Sequence, residues 1–300
     1  MHNASTKSMS RIQRQAPRRQ AHATPFVSPL SWAPLADGEL HVWCASAKDV
    51  ISVPLPSAEA GHSHREMAGD PVYDALAGVL CGDELDQLNR FKAVKAALLY
   101  LAAHAMARLI LERYEPGSCV RDAPLARRRL GKPFVGKTAS GRPLFFNLSH
   151  SWPLAVLAVT RVAECGVDVE MANPRLPWRE VCATAFHPVE RREVLADPRP
   201  DQAFYRQWTL KEAAAKARGL GLHWDFQEFR VCGRSGRVAS DGAECGEMSV
   251  RSFPCSCLDE SLEGFWAVGC MVPPEQAPRL VVHRFCVAEW CALAGQKEVA

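Results

Sequence analysis

Apolar residues recur at three- and four-residue steps from Leu85 to Tyr114, at Leu88, Phe91, Val94, Leu98, Leu101, Ala105 and Leu109. That period predicts one long helix over 85–114, ended by Pro116-Gly117. Two further helical stretches are expected around 178–196 and 201–218. The unbroken run Leu154–Val159 predicts a strand buried on both faces, whereas Val167-Asp168-Val169-Glu170 alternates and predicts a strand with one polar face. Shorter strands are expected at 40–43, 228–231, 264–269 and 280–283, with a Pro-, Gly-, Ser- and His-rich loop over 54–71. The order strand, helix, strand recurs in both halves. We therefore expect an α+β fold, a pseudo-twofold duplication of two similar α/β subdomains with the active site at their interface. The expected division is a disordered basic tail over 1–37, an N-terminal subdomain over 38–145 and a C-terminal subdomain with the metal site over 146–300.

Composition narrows the classes. The 300 residues are 48% hydrophobic and 23% charged, as in an ordinary globular chain. A net charge of +3 lacks the basic excess of a nucleic-acid binder. No apolar run reaches the length that a membrane span requires, so no membrane partner is expected. The 12 cysteines form no CxxC pair, which argues against a zinc ribbon and for reduced thiols in a cytoplasmic protein. Residues 1–36 hold no acid but carry Lys7, Arg11, Arg14, Arg18 and Arg19, and read as a disordered tail or, alternatively, an organelle transit peptide.

Three segments carry candidate chemistry. In Gly166-Val167-Asp168-Val169-Glu170 the strand alternation puts both carboxylates on one face. Such a pair repels itself unless a hard dication sits between, and Mg²⁺ takes one or two carboxylates plus phosphate oxygens. The plain alternative is a solvated acidic face. In Trp208-Thr209-Leu210-Lys211-Glu212-Ala213-Ala214-Ala215-Lys216-Ala217, Glu212 is placed to add a carboxylate and Lys216, one turn on, to hold a phosphate. The plain alternative is a surface i,i+4 pair. Phe146-Asn147-Leu148-Ser149-His150-Ser151 offers His150 to a phosphate, against a simple turn stabilised by Asn and Ser. A Ser/His/Asp hydrolase is rejected: there is no GxSxG elbow, and neighbours in an extended chain point opposite ways.

Taken together, FNLSHS (146–151), GVDVE (166–170) and WTLKEAAAKARGLGL (208–222) resemble the surfactin-synthetase-activating type of 4′-phosphopantetheinyl transferase. Gly131-Lys132-Pro133 is similar to the family's GKP, and 222–229 to the segment after its helix. The resemblance implies that Asp168, Glu170 and Glu212 are the Mg²⁺ ligands. It implies that Lys216 contacts the coenzyme A phosphates and that Lys132, Ser149 and His150 line the nucleotide. Lys137 is a second candidate for the GKP role. Leu99 falls where relatives often carry an arginine for the 3′-phosphate, which leaves Lys92, Lys95, His104 and Arg108 as the nearby cations.

The activity implied is transfer of 4′-phosphopantetheine from coenzyme A to a serine of an acyl or peptidyl carrier protein, by a monomer. On that resemblance Glu212 and Lys216 are the expected catalytic residues, and Glu212 or a water is the candidate base. The alternatives are another Mg²⁺-dependent phosphate-transfer enzyme, which does not account for the SHS segment, and an inactive carrier-protein binder, which would normally have lost a metal carboxylate.

Overall fold

The structure, a computed structural model, describes residues 34–52, 64–118, 120, 123–136, 138–240, 248–288 and 290–291. The expected tail (1–33 of it) and most of the 54–71 loop lie outside these residues.

Two sheets and two long helices stack as four layers. The first sheet is formed by β1 (Glu39–Ser46), β4 (Phe145–Ser151), β5 (Leu154–Thr160) and β11 (Arg279–Arg284), in the order β11-β1-β5-β4. The β1–β11 pair is parallel and the others antiparallel. The second sheet is formed by β6 (Cys165–Met171), β9 (Ser249–Pro254) and β10 (Gly264–Cys270), in the order β6-β10-β9. Two short pairs stand apart from these sheets: β2 (Ala126–Arg127) with β3 (Pro133–Phe134), and β7 (Phe229–Val231) with β8 (Val238–Ser240).

Alternation along β1 and β5 divides their side chains between two cores. Trp43, Ala45, Ala155, Leu157 and Val159 pack with the helix α3 (Val94–Tyr114). Val42, Cys44, Val156 and Ala158 pack with Val167, Val169, Trp266 and Val268 of the second sheet. Burial on both faces is why β5 reads as a continuous apolar run. On the far side of the second sheet lies α6 (Pro200–Arg218), through Ala213, Ala214 and Ala217 against Val250 and Ala267.

The sheets do not respect a cut at residue 145: β4, β5 and β11 complete the sheet that β1 begins. The expected helix over 85–114 is two helices, α2 (Gly82–Leu88) and α3, after a short α1 (Pro71–Ala77). Tight bonds from Arg90 N–H to Gln87 O and from Phe91 N–H to Leu88 O close α2, and Ala93 is extended before α3. Likewise 178–196 divides into α4 (Trp178–Ala185) and α5 (Pro188–Ala196). Pro188 cannot continue a helix, and Phe186 ahead of it is extended. The segment 146–151 is not a turn but lies within strand β4.

One sequence expectation needs correction. By length and apolarity alone α3 would suit a membrane span, but most of it is buried between the first sheet and its own flanking helices. Among the described cysteines Cys44, Cys81, Cys165, Cys182, Cys255 and Cys270 are buried free thiols.

Candidate functional site

Gly166 begins the site. A Cβ there would collide with the backbone of Ala213 and Ala217, so only glycine lets α6 lie directly on β6. Gly269 on β10 and the alanines of α6 serve the same close approach. Asp168 and Glu170 share the face of Gly166 and so meet α6, where Glu212 and Lys216 stand one turn apart. Gly219, with a left-handed φ of +75°, ends α6 three residues after Lys216, and Leu220 N–H returns to Ala215 O at 3.0 Å.

These residues line a cavity of about 500 Å³. Its wall also takes Ser149 and His150 from β4, Glu84 from α2, His104 and Arg108 from α3, and Arg127. The Lys216 ammonium sits 2.6 Å from Asp168 Oδ1 and donates to Ser149 Oγ at 3.0 Å. Ser149 Oγ in turn donates to Asp168 Oδ1 at 2.9 Å. Asp168 Oδ2 is buried with no hydrogen-bond partner among the described residues.

Electrostatics follow from burial and crowding. Burial, then the charges of Asp168 and Glu212, push the Glu170 carboxyl up to about 7, against the pull of Lys216. Burial also raises Glu212, with Asp168 adding to it and Lys216 opposing it. Desolvation holds His150 below its ordinary value, with the neighbouring Lys216 and His104 acting in the same sense. Across the cavity, burial works to raise Glu84, but hydrogen bonds and charge from His104 and Arg108 outweigh it and hold it at about 2.

Among the described residues no group of three or more His, Cys, Asp or Glu side chains is placed to hold a metal ion. The chemistry of the wall nevertheless fits a hard dication. Asp168, Glu170 and Glu212 line it together, one buried oxygen of Asp168 has no hydrogen-bond partner among the described residues, and burial with neighbouring negative charge raises the Glu170 and Glu212 carboxyls. Mg²⁺ seldom takes an all-protein cage and fills its shell with water and phosphate oxygens.

The structure thus brings together Ser149, His150, Asp168, Glu170, Glu212 and Lys216. It does not bring Lys132 to them. That buried ammonium meets Glu164 Oε2 at 2.7 Å, Cys165 O at 2.8 Å and Ala217 O at 3.3 Å, and so ties the 126–134 hairpin to β6 and to the end of α6. Lys137 lies outside the described residues. Leu99 packs in the core and does not line the cavity, nor do Lys92 and Lys95; Lys95 lies over the Trp152 ring. The helix face toward the cavity is instead His104, Ala107 and Arg108. Arg108 is already committed to Glu84, Cys81 Sγ and the carbonyls of Val120 and Ala123. His104 is stacked on Tyr100 and bonded to Glu84. Sequence reasoning does not single out Glu84 or Arg127 as site residues, and names His104 only among the nearby cations. The available signal is the polar pair 104/108, i and i+4, on an otherwise apolar helix.

Residues 164–251 match the family model described as the 4′-phosphopantetheinyl transferase superfamily. Similar curated proteins include the 4′-phosphopantetheinyl transferase HetI of a Nostoc species, 35% identical over 49% of this chain and 62% of that protein. The 4′-phosphopantetheinyl transferase AcpT of Salmonella typhimurium is 39% identical over 35% of this chain and 55% of its own length. The L-aminoadipate-semialdehyde dehydrogenase-phosphopantetheinyl transferase of Mus musculus is 30% identical over 62% of this chain and 60% of its own. The matched regions thus cover only 55% to 62% of these three relatives. The family match contains Asp168, Glu170, Glu212 and Lys216.

Proposed function

We propose that this protein, whose residues 164–251 match the model of the 4′-phosphopantetheinyl transferase superfamily, belongs to that superfamily and transfers the 4′-phosphopantetheine group of coenzyme A to a serine of an acyl or peptidyl carrier protein. The observation that carries the proposal is the contact of Lys216 with Asp168 and Ser149, in one cavity with Glu170, Glu212 and His150. A pyrophosphate donor needs fixed positive charge beside a hard-cation site, and that is the character of this wall.

Asp168, Glu170 and Glu212 would hold Mg²⁺. When bound, the ion would neutralise phosphate charge and stabilise the departing 3′,5′-ADP. Lys216, fixed between β6 and α6, is poised to steady phosphate oxygens. His150 and Arg127, exposed on the cavity wall, add donors for the nucleotide. The serine hydroxyl of the carrier attacks the β-phosphorus, and its proton passes to a base. Glu212, which lines the cavity beside Lys216, or a water is the candidate. We read the α/β/β/α stack as a duplication within one chain and propose a cytoplasmic monomer.

Incubation of the protein with Mg²⁺, coenzyme A and a panel of apo carrier proteins tests the proposal. The expected result is a mass increase by one phosphopantetheine on at least one carrier, with stoichiometric 3′,5′-ADP. No mass change on fatty-acid, polyketide or peptide carriers would overturn it.

A further inference from the structure

Asn147, Ser149 and Ser151 stand at alternate positions of β4, so their side chains leave the strand on one face. That face looks at β6. The two strands belong to different sheets, and no ladder of backbone bonds joins them. Side chains take over that task. Asn147 Oδ1 accepts the Val167 N–H at 2.8 Å. Ser149 Oγ meets Asp168 Oδ1 at 2.9 Å. Ser151 Oγ accepts the Met171 N–H at 3.2 Å and stands 3.5 Å from Glu170 Oε2. Three successive polar side chains thus fix the register of β6 against β4 over the stretch that carries both acidic residues.

The middle contact does more. A serine hydroxyl has one proton to give and two lone pairs to accept with. Ser149 gives its proton to Asp168 and accepts from Lys216 at 3.0 Å, and it is almost wholly buried. Asp168 Oδ1 therefore takes two donors, Ser149 and Lys216. Two bonds to one oxygen set the rotation of the carboxylate and leave the buried Oδ2 as the oxygen open to a cation. A hydroxyl engaged on both sides has little left for a nucleotide.

We infer that Ser149 is a positioning residue that acts through Asp168 and Lys216 and not through contact with the donor nucleotide, with Asn147 and Ser151 pinning β6 on either side of it. The kinetic part rests on the transferase reading. The binding part does not.

The test uses the full chain as wild type, Ser149→Ala and Ser149→Thr. Binding of Mn²⁺ alone is titrated by electron paramagnetic resonance, and kcat and the donor KM are measured separately with Mg²⁺. Loss of a hydrogen bond to a charged group should raise the half-saturating Mn²⁺ concentration about tenfold or more and lower kcat about ten- to a hundredfold, with donor KM within about twofold. Ser149→Thr keeps the hydroxyl and should restore both to within about threefold. If Ser149→Ala does not fold, Ser149→Cys, of similar size and a weak donor, should give the same split. A raised donor KM with unchanged kcat and unchanged Mn²⁺ affinity would make Ser149 a nucleotide contact and overturn the inference, as would a wild type that binds no Mn²⁺. A wild type that binds Mn²⁺ but modifies no carrier would sink the transferase reading while the Mn²⁺ titration still decides the role of Ser149.

Discussion

The Lys211 ammonium lies 2.7 Å from Glu190 Oε2 in the protein interior, one residue before Glu212 on α6. It also donates to Phe229 O at 2.5 Å and lies 4.0 Å from the centre of the Phe229 ring. Glu190 collects Gln207 Nε2 and the Val231 N–H, each at 2.7 Å. This buried cluster joins α5, α6 and β7, and it fixes the rotation of α6 that turns Glu212 and Lys216 toward the cavity. Removing one partner leaves the other charged and buried. Lys211→Met is therefore expected to lower unfolding free energy by about 3–5 kcal/mol in urea titrations. Adding Glu190→Gln to Lys211→Met should recover part of that loss. A loss below about 1 kcal/mol, the range of an exposed pair, would refute the account.

Gly166→Ala tests the approach of α6 to β6. The added methyl meets the Ala213 and Ala217 backbone, which cannot rotate away. Overpacking of this kind costs about 1–3 kcal/mol, and the helix must shift outward to accept it. Thermal melts should show the destabilisation, and transfer should fall further than stability does, because Glu212 and Lys216 ride on the displaced helix. Activity at the wild-type level would argue against this packing.

Asp168→Asn and Glu212→Gln preserve shape but remove charge from the proposed cation site. Each is expected to cut transfer about a hundredfold or more with little change in the far-ultraviolet circular dichroism. EDTA should abolish wild-type transfer and Mg²⁺ should restore it. Full activity in EDTA would remove the cation from the mechanism.

Lys132 separates two roles. Its three contacts are all to protein acceptors around the 126–134 hairpin and the end of α6. Lys132→Met should therefore cost stability, about 1–3 kcal/mol, with donor KM changed about twofold or less. A large rise in KM with unchanged stability would return Lys132 to the phosphates, as the resemblance implies.

Stability should fall in mild acid because of His41 and His283. Their rings meet in the first sheet, with His283 Nε2 3.1 Å from His41 Nδ1 and His283 stacked on Trp43. Burial lowers each to about 4 from an ordinary 6.5, even with Glu39 2.9 Å from His41. Between about 6.5 and 4 the unfolded chain binds protons that the folded chain refuses, so unfolding free energy declines as pH drops through that window. His283→Phe should flatten the decline in denaturant titrations at about pH 4.5–7. An unchanged slope would show that the pair does not titrate as described.

Local physics makes much of this molecule legible in its sequence. High helix propensity and the glycine stop mark α6, and alternation marks β6 with Asp168 and Glu170 on one face. Those patterns depend only on neighbours along the chain, so the sequence by itself determines the strand face of Asp168 and Glu170 and the helical spacing of Glu212 and Lys216. What lies outside its reach depends on partners distant in sequence. Nothing in Asn147, Ser149 and Ser151 shows that they face β6, because Asn and Ser serve a turn equally well and the partner strand belongs to another sheet. Nor does Lys132 declare itself buried, since its three acceptors come from the 164–165 and 217 regions of the chain. The pairing of β11 with β1 joins segments far apart in the chain, and only the tertiary structure decides it. His104 and Arg127 reach the cavity for the same reason: the packing of α3 and the hairpin against β4 and β6, not the period of either segment, turns them toward it.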